Sequence, residues 1–346
     1  MKSNPIGLYI HVPFCVKKCP YCDFYSGEIT KTAEYTSAVL RNIARFNERY
    51  DTVYFGGGTP SLLPSLAGEV LRAAAHTQDA EITFECNPET VTEAALRELK
   101  AAGVNRLSFG VQSLDDTELA ALGRIHSAKR AEEAIRLAYN LGFENISADL
   151  MLGIPSQTEQ SLSRTIEQLT ALPITHISAY MLKIEPRTAF GKSPPEIPDE
   201  DAQAALYLQA VSRLSESGFS QYEISNFAKA GYESRHNLKY WRCEEYIGIG
   251  PAAHSYYGGK RFAVPRDLAA FIEGETQPEE LTDDHPDQAE ERIMLGLRLT
   301  EGIPLTAELS ERLSLIPKHL YKTENNRLSL TPEGFLVSNE IISIQI

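Results

Sequence analysis

Along the first two-thirds of the chain, short apolar runs alternate with stretches whose apolar residues recur at helical spacing. The runs Leu8–Val12, Thr52–Phe55, Glu81–Glu85, Arg106–Gly110, Ile146–Leu150 and His176–Tyr180 read as strands. Between them, Ala33–Arg49, Thr92–Ala102, Ala128–Leu141 and Glu159–Leu172 read as amphipathic helices. Gly103 and Gly142 stand just past two of these, where a C-cap needs positive φ. Strand and helix alternating at this spacing imply parallel βαβ units. Six units fall short of a closed eight-stranded barrel, so the pattern predicts an α/β fold built on a partial, splayed (β/α)6 barrel.

A Pro-rich break at Lys192–Pro198 precedes a further helix, Asp199–Ser217. From Phe219 to about Phe262 the chain turns aromatic and Gly-rich, which predicts strands and loops packed against the barrel. A polar, acidic break at residues 275–286 leads to a helix over Ala289–Leu299, a Gly302-Ile303-Pro304 break, another helix and the ending RLSLTPEGFLVSNEII. That strand–turn–helix ending predicts a small winged-helix-like C-terminal domain. The expected organisation is a barrel over residues 1–218, an aromatic extension over 219–274 and a small domain over 275–346.

Charge narrows the function classes. Lys and Arg total 33 against 47 Asp and Glu, a formal net charge of −14. That field repels a phosphate backbone, and no basic run offsets it, so no nucleic-acid partner is expected. No run approaches the roughly 18 apolar residues that span a bilayer, and the opening MKSNPIGLYIHVPFC lacks the pattern of a secretory signal. A cytoplasmic location is the expectation. Of the five cysteines, Cys15, Cys19 and Cys22 fall within eight residues. In a reducing compartment such a cluster reads as a metal site rather than a disulfide framework. Cys86 and Cys243 stand alone and read as small buried hydrophobes.

The three clustered cysteines form Cys-x3-Cys-x2-Cys directly after the first strand. Three thiolates on one loop can hold three irons of a [4Fe–4S] cube and leave the fourth open for a substrate or cofactor. Structural zinc is the bland alternative, but it usually needs a second ligand pair, and none stands at such a spacing here. Gly56-Gly57-Gly58-Thr59, at the end of the second strand, lacks the spacing of a dinucleotide site or a P-loop. Taken alone it reads as a tight βα turn; its bare backbone would also let a ligand approach closely.

The segments YIHVPFCVKKCPYCDF, YFGGGTPS, FECNPE, LSFGVQS and DLMLGIPSQT resemble the oxygen-independent coproporphyrinogen III oxidase group of the radical S-adenosylmethionine (SAM) superfamily. Within it, HNLKYW and GIGPAAHSY resemble the haem chaperone HemW family, and the likeness covers nearly the whole chain. The resemblance implies a [4Fe–4S] cluster on Cys15, Cys19 and Cys22, SAM on its open iron, and haem as cargo. In such a site an electron from the cluster cleaves the sulfonium C–S bond to give a 5′-deoxyadenosyl radical. It further implies SAM contacts from Gly57, Gly58, Thr59, Glu85, Gln112, Arg124 and Asp149, with Tyr9 and Tyr21 around the cluster; Lys183 and His254 align more loosely. Carboxylates and an amide suit ribose hydroxyls, and Arg124 suits the SAM carboxylate.

By composition alone, a histidine beside aromatics reads as a hydrogen-bonded core residue. The HNLKYW resemblance instead makes His236 the expected axial haem ligand, with His254 as the fallback. Two activities follow, a haem chaperone and, as runner-up, a coproporphyrinogen III decarboxylase. Against the decarboxylase, Phe24 stands where the oxidase pattern has a further cysteine, and the oxidase's N-terminal extension has no counterpart. Phe24 itself could pack beneath the cluster. The implied partners are haem, an unidentified haem-acceptor protein and an electron donor of the flavodoxin or ferredoxin type.

Overall fold

The protein is described here by a computed structural model covering residues 5–274, 280–284, 286 and 288–346. Residues 275–279 and 285 of the expected acidic break lie outside the described residues. Six parallel strands follow the predicted order: β1 (Ile6–Val12), β2 (Tyr50–Gly57), β3 (His76–Cys86), β4 (Arg106–Gln112), β5 (Asn145–Leu152) and β6 (His176–Met181). The helices Thr32–Ile43, Ser65–Ala73, Glu93–Ala102, Ala128–Asn140, Glu159–Thr170 and Glu200–Glu216 connect or cover them. Gly103 and Gly142 take φ of 101° and 86°, as their C-cap positions require. The first helix stops at Ile43 rather than reaching Arg49. Phe46 N–H bonds back to the Ile43 carbonyl, and Ile6 N–H takes the Arg49 carbonyl, which draws this segment into register for β2.

The aromatic stretch after Phe219 extends this sheet at both ends. β7 (Ser220–Glu223) and β8 (Asn226–Ala228) add beyond β6. β9 (Tyr246–Ile249) pairs parallel with β1, and β10 (His254–Tyr257), β11 (Lys260–Ala263) and β12 (Glu280–Asp283) continue antiparallel. The resulting order, β12-β11-β10-β9-β1-β2-β3-β4-β5-β6-β8-β7, is an open, splayed barrel. A separate antiparallel sheet, β13 (Ile303–Pro304), β14 (Tyr321–Glu324) and β15 (Arg327–Leu330), packs with the short helices Ala307–Arg312, Pro332–Leu336 and Ser338–Gln345 to form the C-terminal domain.

The two faces of the barrel strands differ in chemistry. Leu8, Ile10, Val53, Phe55, Ile82, Phe84, Leu107, Phe109, Ile146, Ala148 and Ile177 form the hydrophobic core beneath the helices. The alternating residues face inward, because side chains point to opposite faces with period two. They include Tyr9, Thr52, Tyr54, Glu81, Glu85, Arg106, Ser108, Ser147, Asp149, His176 and Tyr180, so the lumen is polar.

The helix Arg235–Trp241, which carries HNLKYW and was not foreseen, plugs the lower lumen. Glu81 accepts the backbone N–H groups of Arg235 (3.0 Å) and His236 (3.1 Å), and Ser234 caps the same helix end. A carboxylate on exposed N–H groups at a helix start is stabilising both as a charged hydrogen bond and against the helix dipole. Glu81→Ala should therefore lower stability by about 1–3 kcal/mol, read as a shift in denaturant midpoint at constant m-value. An unchanged midpoint would show that this carboxylate does not anchor the helix.

Candidate functional site

Two cavities lie at the C-terminal ends of the parallel strands, where barrel active sites are built. The smaller, about 130 Å³, is lined by Cys15, Cys19, Cys22 and the Gly57-Gly58-Thr59 turn. The larger, about 780 Å³, carries several tyrosines in its wall, among them Tyr9, Tyr54, Tyr180, Tyr240 and Tyr246. Tyr21, Cys22, Phe24, Glu85, Asp149 and Tyr180 line both.

Around the cysteines the protein supplies donors to sulfur. Arg124 Nη1 donates to Cys19 Sγ at 3.5 Å, and the Thr59 hydroxyl donates to Cys15 Sγ at 3.4 Å. Arg124 is fixed by Asn87 Oδ1 and the Gly110 carbonyl, both at 3.0 Å, and Asn87 also donates to Thr59 (3.1 Å). The Arg124 Nε is itself buried without a partner in the protein. Burial pushes the Cys22 thiol above its ordinary pKa. That penalty on the thiolate is relieved when a metal takes the charge, so three thiols with N–H and O–H donors aimed at two of them fit a thiolate-ligated cluster. Among the described residues no three His, Cys, Asp or Glu side chains converge on one point as ligands of a single ion do. Thiolates bound to separate corners of a cube have no need to.

The glycine turn is the tight βα turn its sequence suggests, packed against the cysteine loop. A Cβ on Gly58 would stand 2.6 Å from the Phe14 carbonyl oxygen and 2.8 Å from that of Val12. Gly58 N–H and Thr59 N–H bond to those same two carbonyls, Val12 and Phe14 respectively, at 2.7 Å each. The turn is bare so that β2 can lie tightly against the root of the cysteine loop, and its N–H groups are spent within the protein.

Glu85 and Asp149 meet at the wall between the cavities. Glu85 accepts the Tyr54 hydroxyl (2.8 Å) and Gly57 N–H (3.2 Å); Asp149 accepts Ser108 Oγ (3.2 Å). Both are enclosed by protein although their oxygens touch the cavities. Burial, then the charge of Asp149, raises Glu85 to about 7, and burial raises Asp149 to about 6. Gln112, at φ 69°, accepts the Tyr180 hydroxyl at 2.8 Å. Tyr9 lies on the large cavity alone, its hydroxyl 3.1 Å from His11 Nδ1, and Lys183 and His254 line that cavity as well. Phe24 does not pack beneath the cysteines: its side chain is 63% exposed at the junction of the cavities. Cys86 is buried as expected; Cys243 is not, standing partly exposed in a left-handed conformation.

His236 lies one layer behind the cavity wall, with both ring nitrogens engaged. Nδ1 is 2.7 Å from Thr52 Oγ1, Nε2 is 2.7 Å from the Tyr240 hydroxyl, and the ring stacks on Tyr54. Burial holds its pKa near 3, so it is the neutral imidazole at ordinary pH. A nitrogen becomes available to a metal only when one of these bonds opens, which is how the structure departs from a simple open ligand. Sequence reasoning passed over Asn87, Tyr54 and Tyr180. Asn87 had a legible signal, since it stands in the turn directly after β3, two residues beyond Glu85, at the strand-end position where barrel sites are built.

A family model described as the radical SAM superfamily matches residues 9–169, and one described as the HemN C-terminal domain matches residues 283–337. Similar proteins include the haem chaperone HemW of Escherichia coli (38% identical, 88% of this chain and 85% of that one) and of Bacillus subtilis (36%, 96% and 97%). The mitochondrial radical S-adenosyl methionine domain-containing protein 1 of Bos taurus is 38% identical over 88% of this chain and 70% of its own. Among solved structures, the coproporphyrinogen III oxidase HemN of E. coli superposes with a TM-score of 0.83 over 99% of this chain and 90% of that chain, at 20% identity, a likeness of fold. No helix among the described residues is long and apolar enough to cross a membrane.

The raised acids set a pH dependence. An acid whose folded pKa lies above its unfolded value costs stability once ionised. For Glu85 that cost is absent below about pH 4.5 and grows as pH rises to about 7. Glu85→Gln in the metal-free protein should remove roughly 2–3 kcal/mol of this loss. Urea midpoints at pH 5 and pH 7.5 should then differ less in the variant than in the wild type; equal differences would refute the assignment.

Proposed function

The chain belongs to the haem chaperone HemW family of the radical SAM superfamily, and from that membership we propose that it binds haem in the large cavity and passes it to an acceptor protein. The observation that supports this most directly is a tyrosine-lined cavity of about 780 Å³ that shares a wall with the cysteine site. Its size lies within the range that encloses a cofactor-sized ligand. Flat aromatic rings suit a porphyrin face, and a polar floor suits a metal centre.

Cys15, Cys19 and Cys22 would hold the [4Fe–4S] cluster, with Arg124 and Thr59 donating to its sulfur ligands. When bound, the cluster and SAM supply one-electron reductive chemistry. Arg124, which lines the smaller cavity, would hold the SAM carboxylate. Glu85, Gln112 and Asp149 would accept ribose hydroxyls, and the carbonyls of Gly57 and Gly58 would take the amino group, since the N–H groups of Gly58 and Thr59 are committed elsewhere. Tyr21 lies between the two sites, and Tyr9 serves the haem side.

His236 is the proposed haem ligand through Nε2. The Thr52 hydroxyl at Nδ1 fixes the ring in the manner of an outer-shell partner of a metal-bound histidine. Tyr240, which lines the cavity, then acts as a cap that must release Nε2 first. The missing oxidase cysteine at Phe24 supports carriage over decarboxylation.

Two experiments test these assignments. Anaerobic reconstitution should load one cluster that is lost in each of Cys15→Ala, Cys19→Ala and Cys22→Ala, while Cys86→Ala and Cys243→Ala keep their iron; loss in either of the last two would overturn the ligand set. In Soret titrations, His236→Ala should weaken haem binding and Tyr240→Phe should strengthen it about threefold to tenfold, the worth of one hydrogen bond. Unchanged binding in folded His236→Ala with loss in His254→Ala would move the ligand to His254. Turnover of coproporphyrinogen III by the wild type would replace the chaperone reading altogether.

A further inference from the structure

The charges around the large cavity are not evenly spread. Its floor carries the carboxyl groups of Glu85 and Asp149, against the hydrogen-bonded polar lumen. Its cationic wall residues are Lys183 and Arg266, both toward solvent, with side chains 81% and 41% exposed. Asp23 at the same mouth faces two guanidinium groups, Arg187 at 3.0 Å and Arg266 at 3.7 Å, so one positive charge there is left over. Arg266 also donates to the Asp23 carbonyl at 2.7 Å, which holds the guanidinium at the rim. Beside it stands the exposed ring of Phe24, and the apolar side chains of Met151 and Leu182 line the wall. A locally basic, partly apolar mouth on a chain of net charge −14 calls for a ligand that is itself amphiphilic and anionic.

Resting on the haem reading above, we propose that Arg266 and Lys183 are the propionate anchors that fix the orientation of haem in the cavity. Haem is a flat apolar plate with two carboxylates on one edge. Entering with that edge inward would set the propionates against Glu85 and Asp149, a like-charge contact in a poorly solvated site. Entering with it outward sets them against a guanidinium and an ammonium, where charge-assisted hydrogen bonds form. Lys183 exchanges its exposed Glu185 partner (2.7 Å) for a propionate, a swap that costs little because exposed pairs are weak. Phe24, on the same rim, covers one face of the plate.

The test compares haem with haem dimethyl ester, which keeps the ring and iron but lacks the carboxylates, in Soret titrations of the full chain in one detergent. The wild type should prefer haem by about tenfold or more. The Arg266→Gln, Lys183→Gln double variant should bind the ester as the wild type does and haem no better than the ester, so that the ratio falls to about one. The Arg266→Lys, Lys183→Arg exchange should keep most of the preference. A wild-type ratio near one overturns the orientation while leaving haem carriage standing, as does a double variant that keeps the wild-type ratio. Because the ester is measured on the same protein, a folding defect shows as loss of both ligands. If the wild type takes up neither porphyrin, the haem reading fails and this inference fails with it.

Discussion

An open barrel with a polar inside must find partners for the charged groups it encloses, and the rest of the molecule is arranged around that requirement. Arg106, Glu85 and Asp149 are ionisable groups on one inner surface, where each would be costly without the others. The cationic Arg106 lowers both acids and the nearby histidines, while burial pushes the acids up, and the balance leaves Glu85 and Asp149 titrating near neutrality. Hydroxyls partner four of the inner groups: Tyr54 on Glu85, Ser108 on Asp149, Ser147 on His176 and Thr52 on His236. The core that stabilises the fold lies on the other side of the same strands, beneath the helices. Chemistry and cohesion are thus divided between the two faces of a single sheet, which leaves the inner face open to ligands without weakening the packing.

The same division explains why the cysteine site and the tyrosine cavity are neighbours. Both open at the strand ends, and the side chains that line both belong to β3, β5 and β6 or to the cysteine loop at residues 21–24. Cys22 itself looks into both. A ligand in the large cavity therefore lies beside Cys22 without any movement of the barrel.

Much of this was legible in the sequence because its signals are local. The six parallel strands announce themselves by alternation, and three cysteines within eight residues need no tertiary information. Glu85, Gln112, Arg124 and Asp149, distant from one another in sequence, all line the smaller cavity. The helix over 235–241 was hidden because its anchor is distant: Glu81 holds its start from another strand, and Gly7 makes room for it, since a Cβ there would stand 3.1 Å from His236 Cε1. The doubly bonded state of His236 was hidden for a similar reason, Thr52 lying 184 residues away. The exposure of Phe24 and the pairing of Arg266 with the loop at Asp23 likewise depend on contacts that no local pattern encodes.

The position of β1 carries a consequence for how the molecule comes into being. This strand is made first, yet it ends in the middle of the sheet, with β2 on one side and β9, residues 246–249, on the other. Its far flank stays unpaired until more than two-thirds of the polypeptide has left the ribosome, and contacts so distant along the chain are the slow ones to form. The cysteine loop grows directly from β1, and the Gly250 position, where a Cβ would meet the His11 carbonyl oxygen at 2.5 Å, closes over its root. A chain truncated before β9 would still hold every residue that lines the cysteine cavity, the last of which is Tyr180, but would leave β1 with an open edge beside the root of the cysteine loop.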